Sequence, residues 1–291
     1  MNSVKMIRNN RLTVSIAKPD KYDFTQRFDR HGFITQVTLD GKDSFCTKEP
    51  EGCTNGVGIC NEFNMTNPIG YDEAKPGDKF LKLGVGLLTR KDENPYEFWG
   101  KYEVEPSVYK CEWKEDKVSF QVKPTLCNGY EVLLNKEITL KDNCINIKYS
   151  LENLGEKPVS IEEYCHNFLR FNDYKVCDDY QLYLPYKVQP IEKTEGIVIN
   201  DEGITWNSDI SDGFYMKTSL LDKSYYRAFE LKHGPSGLSI IEEDDFYATR
   251  FALWGTKDII SPEVFISFTI LPGEIKSFSR SFKFSRSLVG I

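Results

Sequence analysis

Apolar and polar residues alternate with a period of two along most of the chain. Between Val118 and Val122, and again between Ile145 and Leu151, every second residue is apolar and its neighbours are polar. This is the period of a strand that packs one face on a core. Helical periodicity is weak throughout, so the pattern predicts half-buried strands. Further runs of this kind extend from 12 to 16, 33 to 39, 132 to 140, 227 to 231, 238 to 241, 247 to 253, 264 to 271 and 277 to 284.

Short segments rich in Gly, Pro, Asn and Asp separate these runs. Examples are Asp40-Gly41-Lys42, Lys141-Asp142-Asn143, Gly234-Pro235-Ser236-Gly237 and Pro272-Gly273-Glu274. Many strands joined by tight turns favour a large antiparallel sandwich over alternating β-α units. Residues 49 to 95 break the pattern, and we interpret them as loops that cover a site. With no linker or repeat in the sequence, we expect a single domain over residues 1–291.

Composition narrows the classes of partner. The 291 residues include 37 Lys and Arg against 44 Asp and Glu, and the basic residues form no dense cluster, so nucleic acid is not an expected partner. No stretch approaches the ~20 consecutive apolar residues that span a bilayer. The first ten residues lack the apolar centre of a signal peptide. We therefore expect a soluble, cytoplasmic protein without a membrane partner.

Eight cysteines raise the question of disulfides or a metal. No Cys-x-x-Cys pair occurs, and the histidines do not lie at zinc-ligand spacing from the cysteines, so we expect no metal site and reduced thiols. The run Glu242-Glu243-Asp244-Asp245 has a metal-binding composition. Consecutive acids in a turn usually face water, and we interpret this run in that way.

One of the three histidines lies in a strand-like run from Val159 to Arg170. There His166 shares a face with Tyr164 and Phe168, between charged residues. The face is either solvated sheet, with the imidazole held by Glu162 or a backbone carbonyl, or the lining of a cleft. Imidazole titrates near neutral pH and can exchange a proton in either direction.

A carboxylate occupies a comparable position near the end of the chain. Glu263 follows Ser261-Pro262 and lies on the polar face of a run whose other face is apolar. Pro262 has no backbone donor, so it is suited to the start of a strand. Glu263 is either a surface residue at a strand end or the partner of an imidazole in concerted proton transfer.

Several blocks, in their order along the chain, resemble a known family. They are Leu134 to Leu140, Ile145 to Gly155, Tyr164 to Leu169, Pro262-Glu263, Leu271-Pro272-Gly273-Glu274 and Ser279 to Phe284. Together they cover about the C-terminal half of the chain and resemble aldose 1-epimerases and other galactose mutarotase-like proteins.

The resemblance implies an all-β supersandwich of antiparallel sheets, with a sugar site on the concave face of the large sheet. Glu263 would be the base that takes the proton from the anomeric hydroxyl, and His166 the acid that protonates the ring oxygen. The ring opens, the carbonyl end rotates and closure from the other face gives the second anomer. The partner implied is a small-molecule carbohydrate, and this chemistry needs neither a metal nor a cofactor.

Further positions follow from the same comparison. Lys82 stands where the well-studied epimerases carry a second histidine, so we expect it to bind the carboxylate or phosphate of an unusual sugar, or else to be solvated. Arg27 would lie near sugar hydroxyls, the alternative being a surface ion pair with Asp29. Arg250 and Trp254 would bind and stack on a sugar, the alternative being a pair at the edge of the core.

Two other classes of function remain open. One is a carbohydrate-binding protein without catalysis on the same scaffold. The other is a polysaccharide lyase or hydrolase, because related sandwiches host such chemistry and a fold does not fix a function.

Overall fold

The computed structural model describes residues 3–51, 53–200, 203–207, 210, 213–220 and 227–287. These residues form 23 strands and no helix. In chain order the strands are β1 (Val4–Arg8), β2 (Leu12–Ala17), β3 (Ile34–Leu39), β4 (Asp43–Ser44), β5 (Gly58–Phe63), β6 (Lys79–Lys82), β7 (Gly86–Thr89), β8 (Val104–Pro106), β9 (Tyr109–Trp113), β10 (Lys117–Val122), β11 (Val132–Lys141), β12 (Cys144–Asn153), β13 (Val159–Phe168), β14 (Tyr180–Tyr183), β15 (Val188–Lys193), β16 (Ile197–Asn200), β17 (Gly203–Trp206), β18 (Phe214–Leu220), β19 (Arg227–His233), β20 (Leu238–Asp244), β21 (Arg250–Thr256), β22 (Ile259–Ile270) and β23 (Ile275–Arg286).

Two large antiparallel sheets dominate the fold. Within the described residues the first has ten strands, in the order β1-β2-β3-β5-β13-β22-β21-β18-β15, with β4 paired to β3. The second also has ten, in the order β16-β17-β14-β19-β20-β23-β12-β11-β10-β9, and β6-β7-β8 form a small third sheet. The predicted all-β antiparallel sandwich is confirmed.

The main core lies between the two large sheets. Alternate side chains of β12, among them Ile145, Ile147 and Leu151, are buried there against alternate side chains of β22 such as Val264 and Ile266. Their neighbours along each strand point to the other face of the sheet. Burial of every second residue is what the two-residue period predicted.

The segment from 49 to 95 is not made only of loops, as we had expected. It contains β5, which lies beside β13 in the middle of the first sheet, and also β6 and β7. All six residues of β5 are buried because both faces of this strand are covered. A strand covered on both faces has no polar alternation, so its period gave no signal.

The acidic run at 242–245 was also misinterpreted. Glu242 and Asp244 are buried and point between the sheets toward Arg280, which is fully buried on β23. The Arg280 guanidinium donates to Glu242 over 2.7 Å and to Glu163 of β13 over 2.6 Å. Arg280 therefore ties the strand that carries His166 to the second sheet. Burial raises the pKa of Glu242 to about 7 although Arg280 opposes this.

Two other sequence expectations concern the whole chain. No helix in the described part of the chain is long and apolar enough to cross a membrane. All eight cysteines are free thiols, as expected for a chain without disulfides.

Candidate active site

A cavity of about 470 Å³ opens on the face of the first sheet that points away from the core. Glu263 and Phe265 line it, whereas their neighbours Val264 and Ile266 are packed in the core. The alternation of β22 therefore places the carboxylate in the cavity. Strands β13, β18, β21 and β22 and the loops that precede β3, β5 and β8 or follow β5 supply the lining. The lining residues are Arg27, Glu49, Thr54, Met65, Phe98, Trp99, Tyr164, His166, Tyr215, Arg250, Ala252, Trp254, Glu263 and Phe265.

His166 and Glu263 are in direct contact in this cavity. The imidazole Nε2 lies 3.2 Å from the carboxylate Oε1, although the two residues are far apart in the sequence. Both are largely buried, with His166 4% and Glu263 7% exposed. Burial removes water that would otherwise compete for either group. The alternative partner of His166 expected from the sequence, Glu162, instead contacts Arg250 at 3.4 Å.

The pair lies where two central strands separate. The ladder between β13 and β22 is interrupted after Tyr164 paired with Phe265 and resumes at the backbone bridge between Leu169 and Ile260. Across the gap Asn167 donates its backbone N–H to the hydroxyl of Ser261 and its side-chain amide to the carbonyl of Pro262, at 3.0 and 2.7 Å. Side-chain bonds replace backbone bonds here. Pro262 lies inside β22, which begins at Ile259 and not at Pro262 as the sequence suggested.

The electrostatics of the pair favour neutral forms. Burial, assisted by the positive charge of Arg27, lowers the pKa of His166 well below its ordinary value, so the imidazole is neutral at neutral pH. Burial raises the pKa of Glu263 to about 7 against the opposing effects of Arg27 and Ser261. A carboxyl with such a pKa can both accept and release a proton near neutral pH, as a general acid or base must.

Arg27 lines the cavity and is held in place by buried partners. Its Nε donates to Glu62 at 2.9 Å and one terminal nitrogen donates to the Tyr164 hydroxyl at 2.9 Å. The Tyr164 hydroxyl in turn donates to Glu62 at 2.6 Å. The sequence alternative, an ion pair with Asp29, is absent because Asp29 binds Lys136 at 3.0 Å. Arg27 therefore presents a fixed positive charge to the cavity.

Lys82 is not positioned to bind a ligand. It is 1% exposed and is not part of the cavity lining. Its ammonium group lies 3.2 Å from Glu62 and donates to the carbonyls of Phe63 and Asn64 at 2.7 and 3.0 Å. These three acceptors use its three protons. The expectation that Lys82 binds a substrate anion is thus replaced by an internal role, which is to neutralise Glu62.

Arg250 and Trp254 lie in the cavity on β21, as the sequence analysis proposed for binding residues. The Arg250 guanidinium lies 3.5 Å from the ring centroid of Phe265. The Trp254 ring meets His166 edge-on at 5.3 Å between centroids. At the mouth, Trp99 is 63% exposed. Aromatic faces next to hydrogen-bonding groups suit the apolar faces of sugar rings.

Several residues of the site were not identified from the sequence: the supporting residues Glu62, Asn167 and Ser261, and the lining residues Glu49, Trp99 and Tyr215. Glu62 lies near the end of β5 and is fully buried, so a charged residue between the apolar Cys60 and Phe63 was an unused signal. Asn167 was placed with the core face, which is where it is found. Ser261 was noted only as a neighbour of Pro262.

No metal-binding cluster is centred in the cavity among the described residues. Elsewhere in the described part of the chain, the side chains of Cys177, Asp178 and Asp179, before β14, lie close enough to one another to hold a cation. The carboxylates of this group are exposed and it does not line the cavity.

Comparison with known proteins gives the fold. No protein-family model and no curated protein matches the sequence. Among solved structures, a galactose mutarotase-like protein from Clostridium acetobutylicum superposes with a TM-score of 0.64 at 10% identity, over 97% of this chain and 95% of that one. One from Lactobacillus casei gives 0.60 at 14%, over 97% and 100%, and an aldose epimerase homologue from C. elegans gives 0.61 at 11%, over 97% and 99%. The chain has the galactose mutarotase-like fold, as a divergent sequence.

Proposed function

We propose that the protein is an aldose 1-epimerase-like isomerase that interconverts the anomers of a free sugar or sugar derivative. The observation that carries the proposal is the 3.2 Å contact between His166 Nε2 and Glu263 Oε1 inside a cavity lined by aromatic rings. The two atoms of a pyranose that exchange protons, the anomeric oxygen and the ring oxygen, are bonded to the same carbon. Two proton-transfer groups must therefore lie close together, as these do.

In the proposed reaction Glu263 accepts the proton of the anomeric hydroxyl. The O–H electron pair forms the carbonyl, the bond from the anomeric carbon to the ring oxygen breaks, and His166 protonates the ring oxygen. Rotation of the carbonyl and the reverse sequence of transfers give the other anomer. The fixed charge of Arg27 favours negative charge that develops on the substrate oxygens.

The cavity also suits a sugar as ligand. Trp99, Tyr215 and Trp254 offer ring faces or edges, while Glu49 and Arg250 offer polar atoms. This composition fits a class of ligand whose rings carry apolar faces and hydroxyl rims.

The proposal is tested with Glu263→Gln, which keeps the side-chain size, and with His166→Asn, which is smaller but still polar; both changes remove proton transfer. Each change is expected to lower the rate of protein-catalysed anomer exchange by about 100-fold or more, as loss of general acid or base catalysis does. Tryptophan fluorescence, which reports on Trp99 and Trp254 in the cavity, measures whether the sugar still binds. Unchanged exchange rates in both variants would contradict the assignment.

Two further outcomes would identify one of the other functions. Saturable binding of a sugar with no acceleration of anomer exchange by the unmodified protein would identify a carbohydrate-binding protein. Release of unsaturated or reducing ends from a polysaccharide would identify a lyase or hydrolase.

A further inference from the structure

The hydroxyl of Ser261 touches both groups of the acid–base pair. Its Oγ lies 3.0 Å from His166 Nδ1 and 3.1 Å from Glu263 Oε1, and it accepts the backbone N–H of Asn167 at 3.0 Å. A serine hydroxyl has one proton and two lone pairs. Because Asn167 occupies one lone pair, one proton and one lone pair remain for the two partners. Ser261 must therefore donate to one partner and accept from the other.

The three groups form a closed ring of contacts. His166 Nε2 contacts Glu263 Oε1, Oε1 contacts Ser261 Oγ, and Oγ contacts His166 Nδ1. Three hydrogen bonds need three protons: one on a neutral imidazole, one on the hydroxyl and one on the carboxyl. With those protons the ring can be completed in two directions, and each direction puts the imidazole proton on a different nitrogen. If the carboxylate is ionised, only two protons remain for the three contacts, so one contact would bring two hydrogen-bond acceptors together.

A neutral imidazole has a difficulty as an acid. Release of its only proton would leave an imidazolate unless the other nitrogen receives a proton at the same time. Ser261 Oγ is the atom placed at that other nitrogen, and Glu263 is the group placed to resupply Ser261.

We infer that Ser261 is a proton-relay residue that makes the neutral His166 competent to protonate the ring oxygen of a sugar. This rests on the proposed function and deepens it. The anomeric O–H gives its proton to one oxygen of the Glu263 carboxyl, and the other carboxyl oxygen gives its proton to Ser261 Oγ. Ser261 gives its own proton to His166 Nδ1, and Nε2 gives its proton to the ring oxygen. The electron pair of the anomeric O–H bond becomes the second bond of the carbonyl. The electron pair of the broken C–O bond stays on the ring oxygen and binds the new proton.

Every protein group therefore ends with the number of protons that it had at the start. The two hydrogen bonds of Ser261 have reversed direction and the carboxyl proton has moved to the other oxygen of Glu263, and ring closure runs the relay backwards. Ser261 does not touch the reacting atoms and acts through His166 and Glu263. It is a positioning and relay residue in this account.

The test compares Ser261→Ala, which removes the hydroxyl, with Ser261→Thr, which keeps it. Ser239→Ala is the matched control, because the Ser239 hydroxyl is also largely buried but bonds Ser285 at 2.7 Å outside the cavity. We expect Ser261→Ala to lower kcat for anomer exchange by about 100-fold at pH 7.5 with little change in KM. Ser261→Thr should recover part of this loss, and Ser239→Ala should have no effect.

A proton inventory in mixtures of H₂O and D₂O gives a readout that a purely structural role would not change. Concerted transfer by Glu263 and His166 alone moves two protons, whereas the relay through Ser261 moves four. We therefore expect the dependence of kcat on the deuterium fraction to require more than two protons for the unmodified protein and no more than two for Ser261→Ala. The variant should also regain rate as the pH falls, because an imidazolium can act without a relay.

An inventory for the active unmodified protein that needs two protons or fewer, or full activity of Ser261→Ala, would overturn the inference and leave the proposed function standing. Absence of exchange in the unmodified protein would remove both. The inventory of the unmodified protein decides the question even if Ser261→Ala does not fold.

Discussion

Asn167 of β13 donates its side-chain amide to the carbonyl oxygen of Pro262 over 2.7 Å, at the point where the backbone ladder between β13 and β22 is interrupted. This bond lies one residue from His166 and one residue from Glu263. It joins the two strands within a short gap, between the backbone pairs Tyr164–Phe265 and Leu169–Ile260. The contact between imidazole and carboxylate therefore depends on a side chain of the core face, fully buried behind the site.

Replacing Asn167 by Ala should loosen the contact between the two strands at the site. The Pro262 carbonyl would lose its donor, at a cost of about 1–3 kcal/mol in the free energy of unfolding. Because displacement of a reacting group by about 1 Å can cost 100-fold, kcat should fall far more than KM rises. Urea unfolding and exchange kinetics measure the two effects. Asn135→Ala, which removes an exposed bond to Gln121, is the control and should leave both unchanged.

Replacing Lys82 by Met should weaken the fold and not sugar binding. Glu62 would stay buried with Arg27 and Tyr164 but without its second cation, a loss of about 3 kcal/mol in unfolding free energy for a broken buried pair. The exposed pair of Lys79 and Glu105 provides the control, and Lys79→Met should have a much smaller effect on the free energy of unfolding because water screens an exposed pair. A normal melting temperature together with a raised KM for anionic sugars only would instead support the original expectation for Lys82.

The stability difference between the unmodified protein and Glu263→Gln should depend on pH. The pKa of Glu263 is raised from an ordinary 4.5 to about 7 in the fold, so the folded state binds a proton that the unfolded chain releases. The stability that this carboxyl provides is complete below about pH 4.5 and is lost as the pH rises through about 7, a change on the order of 3 kcal/mol.

Glutamine resembles the protonated carboxyl, so Glu263→Gln should lack this dependence. Urea unfolding of both proteins at pH 5 and pH 8 measures it, and comparison of the two cancels the opposite contribution of His166, whose pKa is lowered. A stability difference that is the same at both pH values would contradict the shifted pKa.

The aromatic rings of the cavity should contribute to sugar affinity. Trp99→Ala removes a ring that is 63% exposed, so it should raise KM about 3- to 10-fold with little effect on stability. Trp254→Ala should also lower kcat, because this ring contacts His166 edge-on. Trp113→Ala, in the second sheet, changes a tryptophan outside the cavity and should leave KM as it is. Equal KM values in all three variants would exclude stacking as a source of affinity.

The architecture was largely predictable because most strands are buried on one face only. In β12 every second residue packs in the core, and the alternation gives the strand and the face of each side chain. The failures have the opposite cause. β5 is covered on both faces, and Glu242 and Asp244 are charged residues that point inward because Arg280 neutralises them there.

The site was only partly predictable. The alternation placed His166 and Glu263 on polar faces, but their meeting depends on the neighbouring positions of β13 and β22 in the sheet, and only the family resemblance suggested it. The supporting residues had no such signal. Ser261 and Asn167 are small polar residues whose roles come from a gap in the ladder, and a gap leaves no mark in the pattern.

The measurement that tests the central claim most directly is magnetisation-transfer NMR of anomer exchange, with and without the protein, across neutral, acidic and phosphorylated sugars. At least one sugar should show exchange between its two anomeric signals that becomes faster in proportion to protein concentration and returns to the uncatalysed rate with Glu263→Gln. Uncatalysed rates for every sugar that binds in the cavity would contradict the account.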